Sequence, residues 1–472
     1  MRSAPAIGAA LTLACGCNFA PAHVRPALPT PEAFPAEYAG DSTPGTRAPG
    51  IGWRDFIEDP RLEALVGTAL TKNRDLAIAV ARIEEARGLY RIQRAERLPT
   101  VDVNANATKT HIGANAGSGV PAGATAATFE SYSVGAGVSI FELDFWGRVR
   151  NLSDAARSQF LATVQAQRAF RLSLIRDVAS TYLASVEAAE QIRLAEATVE
   201  SRREGLRIAQ VRFDAGITSA LEYRQAESLL TQAETDLAGL RLTKARSENA
   251  LAVLVGGPAA GDLPDALPLA RQASAITLAA GLPSELLVAR PDIIGAEEQL
   301  RAADANIGAA RAAFFPSISL TGSLGFASAE LGHLISSGSK TWSFGPSLNV
   351  PIFNLGRSKG NLIAAKARQT IAIASYERVI QTAFQEVSDA LAGRRYLAEQ
   401  VAAQERGTMA QRQIAELARI RYNEGVVSYL EVLDAERNLF AAEQTLLQLR
   451  RAEAENLIAL YVVLGGGAIE RQ

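Results

Sequence analysis

The chain has 472 residues, a formal net charge of −2 and an aromatic content of 6%. A charge so close to zero provides no basic patch of the kind that binds nucleic acid, and we expect no nucleic-acid partner. Only three histidines are present and no P-loop glycine signature occurs, so the sequence predicts no catalytic residue, no metal site and no cofactor.

The N-terminus has the pattern of a secretory signal peptide over residues 1–16. Met1-Arg2 precedes an apolar stretch that is too short to span a bilayer. The stretch ends in Ala14-Cys15-Gly16-Cys17, which resembles a bacterial lipoprotein cleavage box, although Ala14 stands where leucine is usual. We therefore predict lipid attachment at Cys17. The alternatives are cleavage before Cys15, or two incidental thiols in a discarded signal.

A proline-rich segment follows over residues 17–58. Seven prolines lie between residues 18 and 58, a composition that favours an extended backbone and fits no core. We predict a lipid-anchored tether that runs from the membrane along the body of the protein.

The rest of the chain is duplicated. Leu98-Pro99-Thr100 is matched by Phe315-Pro316-Ser317, and Arg212–Gly216 is matched by Arg421–Gly425. The offset falls only from 316 − 99 = 217 to 425 − 216 = 209 residues, which indicates a repeated unit with small length changes. The predicted organisation is a first repeat over 59–255, an insertion over 256–289, a second repeat over 290–465 and a C-terminal tail over 466–472.

The first repeat begins with two helices near 60–72 and 74–98, the second of which stops before Pro99. Polar and apolar residues then alternate near 100–108 and again near 131–141, which predicts two strands with different faces. The Gly, Ala and Thr-rich residues 109–129 between them are predicted to form a loop.

The second repeat shows the same alternation near 316–327 and 341–351, with a polar face of small uncharged residues. Aromatic residues cluster near the strand ends of both repeats. An apolar band with aromatic girdles and a polar lumen is typical of a membrane β-barrel. A water-soluble β-sandwich with an aromatic core is the alternative.

Each pair of strands is followed by a long segment without proline, 147–213 and 357–422, which predicts two very long helices. Gly216 and Gly425 follow these segments, and glycine commonly ends a helix because it adopts the left-handed (αL) backbone conformation easily. These two turns lie farthest from the strands along the chain.

Four strands cannot close a pore, and an open sheet edge in lipid would leave N–H and C=O groups unpaired. The strands must therefore join those of other copies, and closed rotational symmetry is the natural arrangement. Physical argument alone leaves open whether two or three protomers assemble.

In their order and spacing, these segments resemble the TolC/OprM-like outer-membrane efflux proteins, especially the lipoprotein branch labelled NodT-type. The resemblance covers nearly the whole chain. Besides the two proline-led strands, it rests on Cys17–Pro21, Arg25-Pro26, Trp53 with Phe56, Asp59–Leu62, Arg421–Gly425 and Leu430–Arg437.

The resemblance implies a fold that is mainly α with a membrane β part. It implies a homotrimer whose twelve strands form one β-barrel in the outer membrane of a Gram-negative bacterium. The long helices would form a hollow α-helical barrel across the periplasm, with the insertion as an equatorial belt. The implied function is a passive exit duct for small molecules, driven by an inner-membrane pump of the RND type through a periplasmic adaptor. Outer-membrane lipid is then a further partner.

The resemblance also implies that the turns at Gly216 and Gly425 form the tip at which the adaptor docks. It further implies where the duct closes. In the family, an Asp just past the second tip turn lines the periplasmic gate, and Asp434 matches it. Arg437 lies one helical turn later, and Arg421 and Tyr422 precede the turn. The alternative interpretation is an ordinary surface pair between Asp434 and Arg437.

Two other functions stay open at this point. A duct of the same form also suits a type I protein-secretion system. A lipid-anchored coiled-coil scaffold without a pore is disfavoured by the four amphipathic strands. His111 and His333 fall in predicted external loops, where a paired metal site and ordinary solvated residues are both compatible with the sequence.

Overall fold

A computed structural model of the chain describes residues 18–35, 37, 46–113, 126–258, 263–272 and 276–467. Outside the described residues lie the predicted signal peptide, the predicted lipidation site Cys17 and residues 468–472 of the predicted C-terminal tail.

The described part of the chain is mainly helical. Its longer helices are α1 (Pro60–Lys72), α2 (Arg74–Ala95), α3 (Arg148–Asp214), α4 (Ala220–Val255), α5 (Pro291–Ala312), α6 (Arg357–Asn423) and α7 (Tyr429–Val463). Its shorter helical turns are Ala48–Gly50, Trp53–Phe56, Leu269–Arg271, Pro283–Glu285, Leu286–Ala289, Leu331–His333 and Ser337–Ser339. Helices α3 and α6 hold equivalent places in the two repeats and have 67 residues each.

Local sequence explains where these helices begin and end. Asp59 caps α1, because its Oδ1 accepts hydrogen bonds from the backbone N–H groups of Arg61 and Leu62 at 2.8 and 3.3 Å. Gly216 and Gly425 follow α3 and α6 with φ values of +68° and +75°, a conformation that glycine adopts without a Cβ penalty. Both helices end in the same pattern of backbone hydrogen bonds, which is the Schellman arrangement.

Four strands, β1 (Asp102–Gly113), β2 (Ala126–Leu143), β3 (Ser317–Ser328) and β4 (Lys340–Asn349), form one antiparallel sheet in the order β1-β2-β3-β4. Strands β2 and β3 pair across the two repeats. Strands β1 and β4 are the edges, with no further strand beside them among the described residues.

Cross-strand pairing gives this sheet one apolar and one polar face, because paired residues project to the same side. Leu324 lies opposite Ala136 on one neighbour and opposite Trp342 on the other. On the opposite face, Ser323 and Ser343 are paired and their hydroxyls lie 2.7 Å apart. The small polar and large apolar faces therefore match the alternation seen in the sequence.

Strands β1 and β2 both extend into residues 109–129, which the sequence predicts to form a loop. His111 lies in β1 opposite Thr128, and its Nδ1 is 3.0 Å from the threonine hydroxyl. The prediction of a loop position for His111 is therefore wrong. Polar residues lie on both faces of β1 here, Lys109 and His111 on one and Thr108 and Thr110 on the other, so the alternation of polarity fades although the strand continues. His333 lies in a helical turn between β3 and β4.

The chain divides into two compact units, and each combines segments of both repeats. Unit 1 comprises Met1–Pro26, Ile83–Thr163 and Ala296–Tyr376, and it contains the sheet. Unit 2 comprises Ala27–Arg82, Val164–Gly295 and Glu377–Gln472. The duplicated halves are thus interleaved rather than folded one after the other.

The proline-rich segment contributes to the core, contrary to the expectation that it fits none. In unit 2, Phe34 is buried and its ring stacks on Phe384 at 5.1 Å. Ala48 and Ile51 of the same segment are also buried. The prolines keep the backbone extended while single apolar side chains between them pack on the helices.

Candidate gate and docking tip

The two helical hairpins, α3–α4 and α6–α7, end within unit 2 in equivalent turns that expose apolar side chains. Ile217 and Leu221 in the first hairpin are 68% and 66% exposed, and Val426 and Leu430 in the second are 66% and 56% exposed. These residues hold matching positions of the two repeats. Because large apolar side chains concentrated at a surface mark contact sites, the turns suit the docking of another protein.

Gly216 and Gly425, the predicted docking residues, lie within these turns. A Cβ at either position would meet nothing within 4 Å. Their positive φ is therefore the feature that favours glycine here, and steric crowding plays no part.

Among the four predicted gate residues, Asp434 and Arg437 bind each other. Arg437 Nη2 lies 2.6 Å from Asp434 Oδ1, and the two side chains are 63% and 56% exposed. This is the i, i+3 pair that the alternative interpretation foresees. A residue that lines the pore of a larger assembly would look the same in a single chain, because its carboxylate would be exposed and paired with one exposed partner.

Arg421 makes its contact within the same hairpin. Its Nη1 donates a hydrogen bond of 2.6 Å to Glu431 Oε1 on α7, and both side chains are about half exposed. This ion pair bridges the turn at Gly425 from α6 to α7.

Tyr422 connects the two hairpins. Its hydroxyl accepts a hydrogen bond of 3.0 Å from Arg212 Nη1 on α3, and its ring packs on that of Tyr429 at 5.1 Å between centroids. A groove of about 230 Å³ lies beside this contact and is lined by both hairpins, including Leu221 and Leu433. Tyr422 is thus the member of the predicted set that bonds one repeat to the other.

A buried ionic cluster joins the same hairpins further from the turns. Arg202 on α3 is 4% exposed and pairs with Glu436 Oε2 at 3.2 Å, and its Nη2 donates to the carbonyl oxygen of Leu433 at 3.3 Å. Arg419 on α6 binds the other oxygen of Glu436. The Glu436 carboxylate therefore pairs with one arginine from each hairpin.

Close packing next to this cluster involves Tyr429 and Gly205. A Cβ at Gly205 would lie 2.1 Å from the Tyr429 hydroxyl, so a larger residue at this position would force the Tyr429 side chain to move. Burial raises the pKa of Tyr429, and the carboxylate of Glu436 adds to the effect. The hydroxyl therefore stays protonated.

Sequence reasoning identified Tyr422 and Arg421 but missed their partners Arg212 and Glu431. The repeat itself contained a signal, because Arg212 is the counterpart of Arg421 in the first repeat. Among the described contacts, no hydrogen bond or ion pair links the Asp434–Arg437 pair to Tyr422, so the predicted set forms separate contacts rather than one network.

The described residues contain no group of three or more His, Cys, Asp or Glu placed to hold a metal ion. No helix in the described ranges is long and apolar enough to cross a membrane.

The sequence profile of a family described as "Outer membrane efflux protein" matches the chain over residues 65–257 and 282–466. The first matched stretch overlaps the predicted first repeat, and the second begins within the predicted insertion and continues through the predicted second repeat. Together they cover most of the chain.

Individual relatives agree over nearly the full length. The chain is 41% identical to the cation efflux system protein CusC of Escherichia coli strain K12, over 96% of each protein. It is 42% identical to the solvent efflux pump outer membrane protein SrpC of Pseudomonas putida, over 97% of each. The crystal structure of the open state of the MtrE outer membrane channel of Neisseria gonorrhoeae matches with a TM-score of 0.86 and 39% identity, over 96% of this chain and 99% of that one.

Proposed function

This chain belongs to the outer membrane efflux protein family, and we propose that three copies of it form the exit duct of a tripartite efflux system. In this proposal an inner-membrane pump of the RND type supplies the energy and a periplasmic adaptor joins pump to duct. The duct itself is passive and catalyses no reaction.

The sheet of unit 1 is the observation that supports this assembly best. Its edges β1 and β4 lack neighbours in the described part of the chain, and its apolar face is exposed, with Val103, Trp342 and Phe344 at 76%, 74% and 66%. Lipid covers such a face favourably but tolerates no open edge. Pairing β1 of one copy with β4 of the next satisfies both edges, and three copies then give a closed barrel of twelve strands.

Small molecules are the proposed cargo. Two relatives of nearly equal similarity are named for different cargoes, cations for CusC and solvents for SrpC. A duct whose close relatives serve unlike substrates suits a division of labour in which the pump selects the cargo. These names also favour efflux over the alternative of type I protein secretion.

We further propose that Cys17 is lipidated and anchors the N-terminus in the outer membrane. The sequence that ends in Cys17 and the extended segment after it support this. The intact mass of the mature protein should show an acylated N-terminal cysteine, and Cys17→Ser should remove it. Pore formation should survive in Cys17→Ser, because a single lipid adds only an anchor to a protein whose barrel spans the membrane.

The test of the central proposal is conductance of the purified full-length protein in planar bilayers, combined with its native mass in detergent. A mass of three copies with discrete conductance steps is expected. Three copies without conductance would favour the coiled-coil scaffold. Loss of secreted protein, rather than of small-molecule resistance, on deleting the gene would favour the secretion duct.

A further inference from the structure

The N-terminal strap, which we define as residues 18–26, lies along helix α5 within unit 1. Arg311 Nη1 donates a hydrogen bond of 2.8 Å to the carbonyl oxygen of Phe19, and the Phe19 ring stacks on Phe315 at 4.7 Å. A Cβ at Gly308 would come within 2.7 Å of the backbone nitrogen of Ala20. The strap is therefore seated closely on α5.

His23 enters a site formed by two buried carboxylates of α5. Its Nδ1 lies 2.9 Å from Asp304 Oδ2, and its Nε2 lies 3.5 Å from Glu297 Oε1. The carboxylate side chains are only 9% and 8% exposed, and that of His23 is 25% exposed. The Nε2 atom is buried, and no described residue lies within normal hydrogen-bond distance of it.

The two carboxylates differ in how their charge is compensated. Glu297 binds Arg25 of the strap and Arg301 of α5, each at 2.8 Å. Burial alone would raise the pKa of Glu297, but the hydrogen bond and charge of Arg25, assisted by Arg301 and His23, outweigh burial and lower it. Glu297 therefore stays ionised.

No arginine of the described residues pairs with Asp304 in this way. Besides His23, its recorded partner is the neutral amide of Gln369 on α6, whose Nε2 donates to Oδ1 at 2.6 Å. The remaining ionisable groups around the site are Glu298, which pairs with Arg301, and Tyr376 of α6, whose pKa is raised by burial and by the charge of Glu297. Since a buried carboxylate is costly unless paired, His23 is the group whose proton decides whether Asp304 has a cationic partner.

We infer that His23 acts as a pH-responsive clamp that fastens the N-terminal strap to α5 more tightly as the pH falls. An imidazolium ion donates N–H groups to both Asp304 and Glu297. A neutral ring that donates Nδ1–H to Asp304 turns a lone pair toward Glu297 Oε1, so one favourable contact becomes repulsive. Histidine changes charge between about pH 5 and 8, a range in which aspartate and glutamate ordinarily remain ionised.

The strap emerges directly after the proposed anchor at Cys17, so the clamp would govern how firmly the anchored end is held to unit 1.

Hydrogen exchange of the full-length protein, read by mass spectrometry for peptides covering residues 18–26, tests the clamp. Rates at about pH 5.5 and about pH 8 are each divided by the rates of an unstructured peptide of the same sequence. In the parent, strap protection should be roughly threefold to tenfold greater at the lower pH, the range expected of one partly buried ion pair. In His23→Gln, protection should be the same at both pH values.

His111→Gln is the matched control, since it removes a histidine elsewhere in unit 1 and should leave the pH dependence unchanged. Arg25→Gln should weaken strap protection at both pH values while preserving its pH dependence. Asp304→Asn should remove most of the pH dependence, with helix content checked by circular dichroism. Equal strap protection of the parent at both pH values, or pH dependence that persists in His23→Gln, would overturn the inference.

Discussion

Arg212 Nη1 donates a hydrogen bond of 3.0 Å to the hydroxyl of Tyr422, and this contact ties the end of α3 to the end of α6. Arg421, which holds the position of Arg212 in the other repeat, binds Glu431 within its own hairpin instead. Two equivalent arginines thus make one bond between hairpins and one bond across a turn. A duct that opens by separating its hairpins would have to break the first kind of contact and could retain the second.

The first prediction concerns this hairpin contact. Tyr422→Phe removes the hydroxyl that accepts from Arg212 while keeping the ring that packs on Tyr429. We expect the resting conductance in planar bilayers to rise severalfold, because a bond that holds the hairpins together is lost. Arg421→Ser should raise it less, since that contact lies within one hairpin, and the double variant should conduct most.

Tyr223→Phe is the matched control for this experiment. Tyr223 lies at the other turn, stacks on Phe213 at 5.7 Å and has no recorded hydrogen-bond partner for its hydroxyl among the described residues. If Tyr422→Phe conducts no more than Tyr223→Phe, the Arg212–Tyr422 bond does not keep the duct closed.

The second prediction tests the docking tip through backbone conformation. Gly216 and Gly425 have positive φ and open space around the Cβ position, so valine there should strain the turn by roughly 1–2 kcal/mol. Asparagine tolerates this conformation far better. We expect the Val variants to lose crosslinking to the adaptor and efflux, with outer-membrane insertion intact, while the Asn variants retain both. Adaptor capture by crosslinkers within 256–289, but none at the two turns, would contradict the docking assignment.

The sequence alone predicted the helical hairpins well, because long proline-free segments ending in glycine have few other solutions. Strand positions followed from alternation wherever the two faces differ, as at Leu324 and Ser323. Prediction failed at His111, because polar residues such as Lys109 and Thr110 lie on both faces of β1 there. A bulge between Val138 and Phe141 also shifts the alternation within β2, and such local irregularity leaves little trace in composition.

At the tip, the contacts between side chains were harder to predict than the positions of the residues along the helices. The order of residues placed Tyr422 next to the turn, but the rotation of one hairpin against the other decides that it meets Arg212. The burial of Phe34 was likewise hidden, since a single aromatic between prolines shows no periodicity. Tertiary packing sets both features.

The third prediction concerns Asp59, which is 2% exposed. Its Oδ2 accepts hydrogen bonds from the Tyr182 hydroxyl at 2.7 Å, from Gln272 Nε2 at 2.6 Å and from the Leu267 backbone at 3.1 Å. Asp59→Asn would replace one carboxylate oxygen with an NH2 group, which is itself a hydrogen-bond donor, at a place where other donors already converge. We expect a loss of about 3 kcal/mol in local stability, measured as faster amide exchange in α1.

The partly exposed acid Glu63 of the same helix provides the comparison. Its carboxylate lies 3.6 Å from Arg54 in an exposed pair, so Glu63→Gln should change α1 exchange little. Equal exchange in Asp59→Asn and Glu63→Gln would show that Asp59 does not organise this region.

The fourth prediction is a pH dependence centred on Glu187 of α3. Burial raises the pKa of Glu187 and the neighbouring Glu455 adds to this, although Arg451 opposes it. A folded-state pKa above the unfolded value means that the folded protein binds the extra proton, so this group's contribution is favourable at low pH and is lost as the pH rises through the folded pKa. The midpoint temperature of unfolding should therefore decrease less between about pH 4.5 and 7 in Glu187→Gln than in the parent.

Glu196→Gln removes an exposed carboxylate of the same helix that pairs with Arg241, and its pH profile should follow that of the parent. A Glu187→Gln profile parallel to the parent over this range would mean that Glu187 titrates alike in the folded and unfolded states.

The fifth prediction separates the two interpretations of Asp434. An exposed ion pair with Arg437 contributes little by itself, so substitution should alter conduction only if symmetry brings three Asp434 carboxylates around the pore. Asp434→Asn should then lower the preference for cations, and Arg437→Gln, which frees the carboxylate, should raise it. Glu424→Gln, at an exposed acid of the nearby turn, should shift the reversal potential in a salt gradient least. Opposite shifts in the first two variants cannot arise from a surface pair remote from the pore, whereas unchanged potentials in both would remove Asp434 from the gate.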